Sequence, residues 1–171
     1  MDGRPVASSI TLAALSSAAF WARRHTEEVL RKCGLPAEVV ETADLVVSEL
    51  VTNAVTATAG GGLDETEQRL YEQKPNALPY QRVAALGVIQ LRVSCDHRSA
   101  LVEVWDGGPG FPLRRDPAAD ALGGRGLMLV DSLCRRWGWY PVRNGDPGRP
   151  HGRGKVVWGL LCHGGPRGTQ P

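Results

Sequence analysis

Three short segments constrain this chain more than its composition does: Ser48-Glu49-Leu50-Val51-Thr52-Asn53-Ala54, then Asp106-Gly107-Gly108-Pro109-Gly110, then Gly123-Gly124-Arg125-Gly126-Leu127. The first has the spacing of a helix face, the second puts an acid where a strand gives way to a turn, and the third is a glycine-rich approach to a helix. A fold that uses them together has to contain both helices and strands. The chain has 171 residues, of which 42% are hydrophobic. That is enough to bury one real core and too little for two comfortable domains.

The formal net charge is +2. Proteins that bind a phosphate backbone usually concentrate Lys and Arg on one face, and this balance is too mild to argue for direct nucleic-acid binding. The arginines instead gather late, in Arg114-Arg115, Arg135-Arg136 and around Arg143, Arg149 and Arg153, where they suit local anion contacts or solvation. Cys33, Cys95, Cys134 and Cys162 form no CxxC pair and have no His at zinc-ligand spacing. Free, mostly buried thiols are therefore expected. The N-terminus does not look like a signal peptide, and no apolar run approaches the ~20 residues of a membrane span. These features predict a cytoplasmic protein with no membrane contact.

Along the chain, Ala18, Ala22, Val29, Leu30 and Cys33 recur at near-helical spacing and predict a first helix from about Ala13 to Cys33, stopped by Gly34. Pro36 suits the start of a second helix, which runs to about Thr58 and buries Val39, Val46, Val47, Leu50, Val51 and Ala54. Residues 63–86 show no persistent period and contain Pro75 and Pro79, so they read as an inserted, mobile loop. Residues 88–95 and 100–105 alternate like two strands of a hairpin. A helix from near Gly126 and strands at 137–142 and 156–161 complete the pattern. The resulting domain spans 13–162, with an N-terminal segment at 1–12 and a disordered tail at 163–171.

Each of the three segments has a plain reading and a chemical one. Glu49 and Asn53 are four residues apart on one helix face: an ordinary polar surface, or a wall where Asn offers an oxygen to Mg²⁺ and Glu accepts a proton from an attacking hydroxyl. Asp106 is either the first residue of a tight turn or a carboxylate that accepts a hydrogen bond from an adenine amino group, with glycines letting backbone come close. Gly123-Gly124-Arg125-Gly126 is either a simple loop-to-helix connection or an anion cradle, with Arg125 adding a fork toward phosphate. Their order in a single chain favours the chemical readings.

The motifs SELVTNAV, VWDGGPGF and GGRGLMLVDSL resemble the N, G1 and G2 boxes of the GHKL ATP-binding superfamily, and the closest branch is the anti-sigma-factor serine/threonine kinases with their single-domain relatives in actinobacteria. The resemblance covers roughly Ala13 to Leu161. It implies an α/β fold, an α+β two-layer sandwich of the Bergerat type: a mixed sheet, helices on one face, and ATP under a lid. It implies that Glu49 is the general base, Asn53 the Mg²⁺ ligand, and Asp106 the adenine reader beside Gly108 and Gly110. Gly124, Arg125, Gly126 and Leu127 would form the lid over the phosphates, and Lys155 with Val156 the strand start closing the adenine pocket.

Many relatives carry a basic residue and a His shortly after the box Asn, where this chain has Thr56 and Ala57. The 63–86 loop is also longer than in compact members. The function implied is a regulatory serine/threonine kinase that uses Mg-ATP to phosphorylate a small antagonist protein and binds a sigma factor. A non-catalytic ATP-gated binding module is the alternative. Relatives often form homodimers, although no segment of this chain marks a dimer face.

Overall fold

The structure is a computed structural model, and it describes residues 5–58, 64–74, 79, 86–109, 126–143 and 153–164. The expectations for Gly110, Gly124, Arg125 and most of the C-terminal tail lie outside the described residues. In chain order the elements are β1 (Val6–Ala13), α1 (Ala18–Lys32), α2 (Ala37–Thr58), α3 (Glu65–Gln73), β2 (Val88–Cys95), β3 (Ser99–Asp106), α4 (Gly126–Leu133), β4 (Arg136–Val142) and β5 (Gly154–Cys162). The strands form one sheet in the order β1-β2-β3-β5-β4. Where the resemblance implies a mixed sheet, all four pairings among the described residues are antiparallel.

Alternation along the strands decides the two faces. Ile89, Leu91, Val93 and Cys95 of β2 and Ala100, Val102 and Val104 of β3 are buried in one core with the apolar stripe of α2, namely Val39, Ala43, Val46, Val47, Leu50, Val51 and Ala54. Among the intervening residues, which face the other way, Arg92 pairs with Glu103 at 3.8 Å, and the Tyr140 hydroxyl donates to Glu103 at 3.0 Å. This is the half-buried sheet expected when helices cover one side only. A smaller cluster of Trp105, Val142 and Val156 supports the far side of the sheet beneath the end of β3.

Three expectations need correction. Residues 6–13, read as an N-terminal segment running into a helix, form strand β1, paired with β2 from Val6↔Cys95 to Ala13↔Val88. Ile10 and Leu12 pack on the core at a period of two, and α1 begins only at Ala18. Helix α3 occupies the first half of what reads as a loop. It carries a capping box in which Asp64 accepts from the Glu67 N–H at 2.8 Å while Glu67 accepts from the Asp64 N–H at 3.0 Å. It buries no residue, so it leaves no hydrophobic period to read.

The third correction concerns cysteine. Cys33, just past α1, and Cys95, at the end of β2, form a disulfide with Cα atoms 6.4 Å apart, so the free-thiol expectation holds for Cys134 and Cys162 only. The two residues are far apart in sequence and carry no pairing motif. The tertiary fold brings them together where α1 ends in a left-handed Gly34 (φ 72°) and Leu35 donates back to the Leu30 carbonyl. Cys134 is buried, and desolvation, with a smaller push from Asp131, raises its thiol to about 12. It is a packing residue.

Candidate functional site

Asp106 is the last residue of β3, and the register places it directly opposite Lys155 on β5. Both side chains point to the helix-covered face, since Asp106 continues the series Val102, Val104 and Lys155 the series Val157, Leu161. They are 2% and 7% exposed. Lys155 Nζ donates to Asp106 Oδ1 at 2.8 Å, and the Gly108 N–H donates to the same oxygen at 3.0 Å. Burial pushes the Asp106 carboxyl above its ordinary range, opposed by Lys155 and by the Gly108 N–H.

Helix α2 supplies the facing wall. Glu49, Asn53 and Ala57 lie on successive turns of one stripe, with Glu49 half-buried and Asn53 exposed. Close approaches fix what sits at each end. A Cβ on Gly126, the first residue of α4, would lie 2.5 Å from Glu49 Oε2 and 3.3 Å from Asn53 Nδ2. A Cβ on Gly108, in the turn after Asp106, would run into the carbonyl of Ala57. The stripe of α2 is thus bracketed by the acid-bearing turn at one end and by the N-terminus of α4 at the other; at Gly108 a Cβ would meet helix backbone, and at Gly126 the end of the Glu49 side chain.

The segments that are distant in sequence therefore meet on one helix. Glu49, Asn53, Asp106, Gly108, Gly126 and Lys155 are gathered around it. Leu127 is buried in the core, so its side chain is committed to packing and only its backbone is left to face a ligand. Of the lid expected over the phosphates, Gly126 and Leu127 are described as the first turn of α4. Sequence reasoning singled out Lys155 as a strand start but missed its ion pair with Asp106. The missing signal was the β3–β5 register, which no local pattern carries. The contact of Ala57 with Gly108 was missed for the same reason.

The groups suit nucleotide chemistry: a buried acceptor at a strand end, an oxygen-bearing carboxamide, a carboxylate, and a helix N-terminus. Among the described residues, no group of three or more His, Cys, Asp or Glu is placed to hold a metal ion. No helix among them is long and apolar enough to cross a membrane.

A family model described as the histidine kinase-like ATPase domain matches residues 12–148. The matched span contains Glu49, Asn53, Asp106, Gly108 and Gly126 and stops before β5, which carries Lys155. No curated protein matches the chain.

Proposed function

The chain belongs to the histidine kinase-like ATPase domain family, and on that premise we propose that it binds Mg-ATP and transfers the γ-phosphoryl group to a serine or threonine of a small antagonist protein. The observation that carries this reading is the α2 stripe, bracketed by the turn after Asp106 and the N-terminus of α4. In the proposed step the substrate hydroxyl oxygen bonds to the γ-phosphorus, the bond to the bridging oxygen breaks, ADP departs, and the hydroxyl proton passes to Glu49. Such transfers need positioning and charge neutralisation more than covalent help. Asn53 is the residue that would hold Mg²⁺, with phosphate oxygens completing a hard, all-oxygen donor set. That ion would neutralise phosphate charge as the bond breaks.

The base site is Asp106, with Lys155 and Gly108 on one of its oxygens. The N-terminus of α4, at Gly126 and Leu127, would face the phosphates, and the resemblance gives Gly124 and Arg125 a role in the same lid. The resemblance gives Gly110 a role beside the adenine. The partners in this reading are the antagonist and a sigma factor. A sigma factor works in the cytoplasm, so the reading places the chain there.

One observation favours the alternative of an ATP-gated binding module. Thr56 turns its hydroxyl back to the Thr52 carbonyl at 2.9 Å, and Ala57 has no polar side chain, so this turn of α2 offers no phosphate contact. Isothermal titration with Mg-ATP, run beside phosphate-release and phosphotransfer assays on proteins captured from the native host, separates the two. Binding with transfer to a captured protein supports the kinase. Binding with neither release nor transfer supports the module.

A further inference from the structure

The Asp106–Lys155 pair has more hydrogen-bonding capacity than it uses among the described residues. Oδ1 of Asp106 takes both the Lys155 ammonium and the Gly108 N–H, while Oδ2 has no partner among the described residues. Lys155 Nζ carries three protons and gives one to Asp106, and no second acceptor lies against it among the described residues. A buried ion pair is costly unless its remaining donors and acceptors are matched. Lys155 is also the lone charged residue of β5, set between Gly154 and the apolar Val156 and Val157. The pair therefore leaves a strong donor and a strong acceptor side by side on the face that meets α2.

Adenine presents the complementary couple on one edge: an exocyclic amino group that donates and, next to it, ring nitrogen N1 that accepts. Resting on the nucleotide reading above, we propose that Lys155 is a specificity-determining residue that donates to N1 of adenine while Asp106 accepts from the amino group. Guanine reverses both groups and meets acceptor with acceptor and donor with donor. A lysine that served only to neutralise Asp106 would be indifferent to N1.

The test is isothermal titration of the full chain with Mg²⁺ and either ATP or 1-deaza-ATP, which keeps the amino group and replaces N1 by a C–H. The wild type is expected to bind 1-deaza-ATP about tenfold more weakly or worse, the loss expected for one charge-assisted hydrogen bond. In Lys155→Met, shown folded by its melting curve, the two ligands are expected to bind within about twofold of each other. Equal binding by the wild type overturns the role of Lys155 and leaves nucleotide binding standing, whereas a wild type that binds no ATP overturns the nucleotide reading itself. A tenfold preference kept by Lys155→Met also overturns the role. Should that variant not fold, Lys155→Leu takes its place: a reduced preference supports the role and an unchanged one overturns it.

Discussion

At the scale of single residues, the two close-approach glycines give opposite results when a methyl group is added, because what they touch differs. At Gly108 the obstacle is the Ala57 carbonyl, which is helix backbone and cannot swing away. Gly108→Ala should destabilise the protein by about 1–3 kcal/mol, the usual penalty for overpacking, read as a lower denaturant midpoint. At Gly126 the obstacle is the end of the Glu49 side chain, which can rotate. Gly126→Ala should therefore melt near the wild-type temperature while phosphotransfer falls, because Glu49 is displaced. Glu49→Gln makes the companion case: ATP affinity within about twofold of wild type and transfer down by roughly 10²–10⁴, the range for losing a general base. A Glu49→Gln protein that transfers at the wild-type rate would remove Glu49 from the mechanism.

At the scale of elements, the hairpin between β2 and β3 is pinned by one half-buried carboxylate. Asp96 Oδ1 accepts from the backbone N–H of Arg98 at 2.8 Å, the N–H of Ser99 at 2.7 Å and the Ser99 hydroxyl at 3.1 Å. The Arg98 and Ser99 N–H groups hold its carboxyl below the ordinary value of 3.8. A depressed folded value means that the ionised form stabilises the fold above pH 3.8 and that this contribution is lost as pH falls through the folded value. Asp96→Ala should cost about 1 kcal/mol at neutral pH, and its gap to wild type should close in denaturant melts at acid pH. Helix α3 behaves differently, since it buries nothing. Asp64→Ala removes its cap, worth about 0.5–2 kcal/mol to the helix, so hydrogen exchange across 65–73 should quicken while the global melt stays in place.

These elements also show what the sequence made legible. The long amphipathic α2, the β2–β3 hairpin and the strand-end position of Asp106 were readable because burial imposes periods of 3.6 and 2 on local sequence. Helix α3 was readable only through Asp64 and Glu67, since a helix with no buried face has no period. Strand β1 was obscured because its small polar residues Ser8, Ser9 and Thr11 dilute the alternation that Ile10 and Leu12 carry. The candidate residues on α2 and β3 could be proposed from their types. Lys155 as the partner of Asp106, and Ala57 as the seat of Gly108, depend on register and helix docking, which are long-range properties.

At the scale of the whole molecule, the Cys33–Cys95 disulfide ties the end of α1 to β2 and closes a loop with a sequence separation of 62 that contains all of α2. It lies away from the Asp106 end of the sheet: Cys95 pairs with Ala100 at one end of β2–β3, while Ile89 pairs with Asp106 at the other. The cross-link should therefore act on stability and leave the site geometry unchanged. Loop-closure entropy for that separation amounts to about 4 kcal/mol, an upper figure because reduced chains retain some structure. Adding a reductant should lower the unfolding free energy by up to that amount, and Cys33→Ala/Cys95→Ala should show the same loss while becoming insensitive to reductant. ATP affinity at a temperature where both forms are folded should agree within about twofold. A reduced protein that stays folded but binds ATP many-fold more weakly would show instead that the bond holds α2 in register with Asp106, joining the two ends of the sheet mechanically.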